Sequence, residues 1–169
     1  MSGDVVEGRA ILLGDDVNTD NIVPGPYLNV TDADELGRHL LETYPGDAGA
    51  RIRPGDIVVA GRNFGMGSSR EQAQIAMLAR GVAAVIAASF ARIFLRNAVN
   101  VGLPVVESPE ASAAIADGDR VRIDFVAGYV ERGRDRWQVA PRPPFMAEIV
   151  DAGGLVAWTR RRLQATGRA

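Results

Sequence analysis

The rhythm of apolar and polar positions changes once along this chain. Through the first two thirds, short apolar runs recur at Arg9–Gly14 (RAILLG), Ile57–Ala60 (IVVA), Val82–Ala88 (VAAVIAA) and Leu103–Glu107 (LPVVE). The uninterrupted middle runs read as strands covered on both faces. Between them the apolar positions space as helices do. Leu36, Leu40 and Leu41 follow Asp32 and Glu35, a capping-box spacing, and this helix is expected to end near Tyr44-Pro45-Gly46. Ser69 and Gln72 repeat that spacing ahead of Ile75, Ala76, Leu78 and Ala79, the expected buried side of a second helix that Gly81 closes. Ser89–Asn97 (SFARIFLRN) reads as a third helix. Strand and helix in alternation predict a parallel βαβ core. The last third alternates polar and apolar residues over Asp119–Ala127 and Trp137–Val139, with Gly133 in the intervening turn, which predicts an antiparallel hairpin with one wet face. Pro143-Pro144 introduces a terminal helical pair broken at Gly153-Gly154. No linker divides the chain, so residues 1–169 read as a single α/β domain.

Composition removes several chemistries. The chain has no cysteine and one histidine, His39, so it offers no thiolate, no cysteine-held iron–sulfur cluster and no His-rich metal site. Nineteen basic against 21 acidic residues leaves a net charge of −2, which argues against nucleic acid as the main partner. The N-terminus MSGDVVEGRA is acidic where a signal peptide is basic, and no apolar stretch nears the roughly 20 residues that span a bilayer. The chain therefore reads as cytoplasmic.

The chemistry concentrates in residues 61–72, GRNFGMGSSREQ. Gly65 and Gly67, between a buried strand and a helix, allow a sharp turn whose N–H groups favour an anion. No Lys-Ser/Thr follows, so this is no Walker A loop, and Arg70 occupies the place of the third glycine of a dinucleotide fingerprint. A phosphate or nucleotide cradle thus remains a weak reading. Ser68 becomes a base only where backbone donors and a fixed cation stabilise its deprotonated form, and Arg70 offers both that cation and a two-pronged carboxylate contact. Against this stands a plain helix cap made by Ser68 or Ser69. A second cluster, Asn18-Thr19-Asp20-Asn21 before Pro24-Gly25, presents Asp20 either as a site acid or as a turn residue. Ser89, Arg92, Arg96 and Asn97 share the third helix and read as structural or interface residues.

Taken together, NTDNIVPG, YL, PGDIVVAGRNFGMGSSREQA, GVAAVIAASFARIFLRNAVNVGLPVVE and DAGGL resemble the small subunits of the aconitase superfamily. The short stand-alone forms of 3-isopropylmalate dehydratase and homoaconitase are the group they most resemble, from about Gly8 to Leu155. The resemblance implies a swivelling β/β/α domain and a cysteine-containing large subunit holding a [4Fe–4S] cluster with one open iron. The implied reaction removes and re-adds water on a hydroxy di- or tricarboxylate. On this resemblance Ser68 is the base, Ser69 and Arg70 support the alkoxide and bind a carboxylate, and Asp20 faces cluster and substrate.

The turn after Pro24-Gly25 resembles the specificity loop of that family and here reads Tyr27-Leu28-Asn29-Val30. Homoaconitase-like members carry an arginine there, isopropylmalate members apolar residues. Asn29 is neither, and the absence of a cation favours 3-isopropylmalate or a related alkylmalate over a tricarboxylate. Met66 and Gln72 depart from the cysteine and histidine of many members, as in a paralogue with another malate-like substrate. The segment Asp15–Thr31 is expected to be mobile without the large subunit that would cover it.

Overall fold

The computed structural model describes residues 4–166, so the ends of the expected 1–169 domain lie outside the described residues. Along the chain run β1 (Val5–Leu12), α1 (Thr19–Ile22), α2 (Ala33–Arg38), α3 (Ala48–Arg51), β2 (Ile57–Ala60), α4 (Gln72–Ala79), β3 (Ala84–Ala87), α5 (Arg92–Val101), β4 (Val105–Glu107), α6 (Pro109–Ala114), β5 (Arg120–Asp124), β6 (Tyr129–Arg132), β7 (Asp135–Gln138), α7 (Pro144–Asp151) and α8 (Leu155–Ala165). One mixed sheet carries all seven strands in the order β4-β3-β2-β1-β5-β6-β7. β1 to β4 are parallel; β5, β6 and β7 continue the sheet antiparallel. No helix among the described residues is long and apolar enough to cross a membrane.

The continuous apolar runs follow from two covered faces. Ile57, Val59, Ala84 and Ile86 point to one side, into a core shared with α6 and the antiparallel strands. Val58, Ala60, Val85 and Ala87 point to the other, where α2, α4 and α5 pack. α2 and α4 lie close because small residues meet: a Cβ on Gly37 would stand 3.1 Å from the Ala79 Cβ.

Several sequence expectations need correction. The first strand begins earlier, at Val5, because its N-terminal half pairs with β5 and its C-terminal half with β2. The first helix ends at Arg38 instead of Tyr44, with His39 at its C-cap. The antiparallel part has three strands: Gly128 and Gly133 both turn with positive φ, and β6 lies between the two strands read from the pattern. The third helix starts at Arg92, since Ser89 is used outside it, and runs on to Val101. In α4 the buried side is Ala73, Gln74, Ala76 and Met77, whereas Ile75 and Leu78 are half-buried and Ala79 is exposed. In the segment after β1, Asn18 and Asn21 close a capping box around α1, and Val17, Thr19, Ile22 and Val23 are buried.

β1 is also tied to the turn before β2. Arg9 Nη2 donates to Asp56 Oδ2 at 2.7 Å, and the Arg53 N–H donates to the same oxygen at 2.9 Å. Burial works to raise the Asp56 pKa, but those two hydrogen bonds and the charges of Arg9 and Arg53 outweigh it and hold the carboxyl below its ordinary value. A depressed folded-state pKa adds stability at neutral pH that is lost as pH falls below about 4 and through the folded value. The stability difference between wild type and Asp56→Asn, read from urea midpoints, is expected to be largest near neutrality and to shrink below about pH 4. A difference that stays constant to low pH would show that the ion pair contributes nothing through linkage.

Candidate active site

Past the ends of β1 and β2 the two segments keep running side by side. Gly61 N–H donates to Gly14 O, Asp16 N–H to Arg62 O, Gly65 N–H to Val17 O and Thr19 N–H to Met66 O, all at 2.8–3.0 Å. The next tie uses a side chain: the Ser68 N–H donates to Thr19 Oγ1 at 2.9 Å. Thr19 is 3% exposed, so its hydroxyl serves the fold and Ser68 is fixed beside the start of α1. Asp20 is the next residue along α1. The structure thus brings the serine loop and the Asp20 segment together through a contact that neither stretch reveals alone.

Two glycines make the loop's shape possible. Gly65 has φ +79°, and a Cβ there would stand 2.2 Å from the Phe94 ring. Gly67 has φ +109°, and its Cβ would press on Thr19 Oγ1 at 3.0 Å. Any side chain would strain the backbone and push against its support. Beneath the loop Phe64, Phe90 and Phe94 pack together, with ring centroids 5.1–6.0 Å apart. The Phe64 N–H donates to Ser89 O and the Asn63 N–H to Ser89 Oγ, which accounts for Ser89 outside the helix.

α5 holds the far side. Asn97, 4% exposed, donates Nδ2 to Ser69 O at 2.8 Å, and Asn100 donates Nδ2 to Glu71 Oε1 at 3.3 Å. These bonds overturn the Ser69 cap. α4 begins at Gln72 with Glu71 at its N-cap and no side-chain cap bond. The Ser69 side chain is exposed, while its carbonyl is claimed by Asn97. Ser68 Oγ instead accepts the Arg70 N–H at 3.2 Å. The expected anion cradle also changes: the Gly65 N–H is engaged by Val17 O, so Gly65 acts through its lack of a side chain and not as a donor. Gly67 is exposed on the rim.

The charges separate clearly. Arg62 is paired with Asp15 at 2.9 Å; the Arg62 N–H first and its guanidinium second hold the Asp15 carboxyl below its ordinary value. Arg70, Arg92 and Arg96 are exposed, and none has a carboxylate partner among the described residues. Asp20 is exposed as well; the capping work in its segment is done by Asn18 and Asn21. Ser68 is half-buried. Arg70 and Asp20 are thus exposed on the two segments that the Ser68–Thr19 bond ties together, and neither has an oppositely charged partner among the described residues.

The expected specificity turn is built differently from a row of free side chains. Tyr27 stacks on His39 with centroids 3.5 Å apart, and Leu28 and Val30 pack partly against the core. Asn29 is the exposed member. No hydrogen bond joins this turn to the Ser68 loop among the described residues. Met66 is exposed, with its sulfur accepting from Asn63 Nδ2, and Gln72 opens α4. No group of three or more His, Asp or Glu suited to a metal occurs among the described residues. Thr19 and the anchoring role of Asn97 were not apparent from sequence. The only signal was polar residues inside otherwise apolar helix faces.

Comparison with known proteins agrees with this architecture. The profile of the Aconitase C-terminal domain matches residues 16–111. The 3-isopropylmalate dehydratase small subunit of Moorella thermoacetica is 50% identical over 96% of this chain and 99% of its own length. The small subunit 1 of Methanopyrus kandleri is 46% identical over 94% of each. A crystal structure of 3-isopropylmalate dehydratase from Methanocaldococcus jannaschii superposes with a TM-score of 0.90 at 42% identity, covering 97% of this chain and 98% of that one. The chain belongs to the aconitase C-terminal domain family, among its 3-isopropylmalate dehydratase small subunits.

Proposed function

We propose that this chain is one domain and the small subunit of a hydro-lyase that dehydrates and rehydrates 3-isopropylmalate or a related alkylmalate, together with a large subunit. The observation that carries the reading is the Ser68–Arg70 turn, pinned by Thr19 and Asn97, in which Ser68 Oγ accepts the Arg70 backbone N–H and the exposed Arg70 side chain has no carboxylate partner among the described residues. Arg70 binds a substrate carboxylate in a two-pronged contact. Ser68 Oγ takes the proton from the carbon next to that carboxylate and returns a proton when water adds back. The Arg70 N–H and guanidinium stabilise the alkoxide form of Ser68 that does this. Asp20 faces the substrate from α1, and Ser69 and Gly67 line the same rim.

The donors here are hydroxyl, carboxylate, guanidinium and amide, with no thiolate, so they do not fit as ligands of an iron–sulfur cluster. We place a [4Fe–4S] cluster on cysteines of the large subunit, where it supplies a Lewis acid for the leaving hydroxyl. The open rim then becomes a closed site only when the large subunit covers it.

Substrate choice falls to the turn at Tyr27–Val30. With Tyr27 stacked and Leu28 and Val30 packed, Asn29 is the residue offered outward. No cation stands there to hold a third carboxylate, which favours an alkyl substituent. Asn29→Arg is expected to lower kcat/KM for 3-isopropylmalate and raise it for homoaconitate-type tricarboxylates, by about tenfold each way. An unchanged ratio would remove Asn29 from specificity. The function itself is tested by mixing the chain with the large subunit encoded in the same genome and assaying a panel of malates. Hydratase activity that needs both chains and prefers alkylmalates supports the proposal. Activity of this chain alone would contradict it.

A further inference from the structure

Away from the serine loop, a cavity of about 200 Å³ lies between the β4 edge, the chain after β7, and α7. Its walls are apolar, among them Leu103, Val106, Phe125, Val139, Met146 and Val150, and two charged residues line it, Glu107 and Arg142. Arg142 is in an unusual position. Its guanidinium lies 3.8 Å from the centroid of the Phe125 ring, and Nη1 and Nη2 are both buried without a hydrogen-bond partner among the described residues. Asp151 and Asp4 attract it through space but do not bond to it, and burial pushes its pKa below the ordinary arginine value. Leaving buried charged donors unmatched is costly, and stacking on one ring offsets only part of that cost. Glu107 is otherwise engaged, accepting the Phe90 N–H at 3.3 Å.

We propose that this cavity is a binding site for a small aliphatic monocarboxylate, its carboxylate held by Arg142 and its hydrocarbon by the surrounding walls. The two oxygens of a carboxylate match the two Nη donors, which a turn of the flexible side chain brings to the cavity. Phosphate fits poorly, because its remaining oxygens would lose water against apolar walls. A dicarboxylate fits poorly too, because its second charge would meet either those walls or Glu107. The site is thereby distinct in chemistry from the dicarboxylate site at Ser68. The volume is below the roughly 300–1,000 Å³ of pockets for drug-sized ligands, which restricts the occupant to a small molecule. Val99 of α5 also lines the cavity, so its occupant braces the helix whose Asn97 and Asn100 hold the serine loop.

The test uses the full chain and 4-methylpentanoate as probe, with calorimetry for affinity and amide ¹H–¹⁵N shifts for location. Saturable one-to-one binding is expected, with shifts centred on Val99, Val106 and Val150. Arg142→Gln is expected to weaken it about tenfold or more. Should that variant fail to fold, 4-methylpentanol, which has the same body without charge, must bind wild type at least about tenfold more weakly. No saturation, shifts centred elsewhere, equal binding of the alcohol, or equal binding by Arg142→Gln would overturn the proposal.

Discussion

Ser68→Ala, assayed in the complex with the large subunit, is expected to lower kcat for 3-isopropylmalate by about 10²–10⁴-fold, the range that a positioned general base contributes. KM should move little, because on the proposed reading Arg70 would still hold a substrate carboxylate. The fold should also be unaffected. Ser68 is half-buried, its hydroxyl accepts only the Arg70 N–H among the described residues, and the N–H that ties it to Thr19 belongs to the backbone. Loss of rate with unchanged unfolding temperature and unchanged partner binding is therefore the signature of the base. A large rise in KM with kcat preserved would make Ser68 a binding residue instead.

The largest expected effect on stability lies directly beneath. Phe94 is fully buried, its ring meets Phe64 and Phe90, and it fills the space that a side chain on Gly65 would need. Phe94→Ala removes that floor. Truncating a buried phenylalanine costs about 3–5 kcal/mol when the void does not collapse. For a chain of this size that corresponds to a fall of about 6–20 °C in unfolding temperature. The surrounding Phe64, Phe90 and Ala98 lie on three separate segments, so collapse needs backbone movement in the loop itself. Circular dichroism melts check the figure; a shift under about 3 °C would mean that the loop relaxes into the space. Such relaxation would displace Ser68 and lower turnover as well.

How legible each part was in the sequence follows from how local its causes are. β2 and β3 were legible because covering a strand on both faces demands unbroken apolar runs, and IVVA and VAAVIAA are such runs. α2 was legible at its start because the Asp32 cap bonds to Glu35 N–H as the spacing implies. The same spacing at Ser69 and Gln72 misled, because bonds from α5 and α1 decide that segment. Asn97 captures the Ser69 carbonyl from 28 residues away, and Thr19 captures the Ser68 N–H from 49 residues away. No local pattern encodes such ties. β6 escaped for a related reason: Tyr-Val-Glu-Arg is short and polar, and pairing with β5 and β7 makes it a strand. α6 did carry a readable signal, Ser108-Pro109-Glu110, with the Ser108 hydroxyl capping Ala111. The candidate site residues came from motif resemblance, but their arrangement needed the three-dimensional contacts. Those contacts turned Gly65 from an expected donor into a steric requirement and left Asn29 as the outward member of its turn.

The most direct test of the account is the fate of the substrate proton. With deuterium placed on the alkyl-bearing carbon of 3-isopropylmalate, the one that loses its proton on dehydration, the complex of this chain with its large subunit should release the label to water. Ser68→Ala in the same complex should retain it, with dehydration slowed in proportion. Release of label at the wild-type rate by the Ser68→Ala complex would show that the base lies elsewhere, and the central assignment would fall.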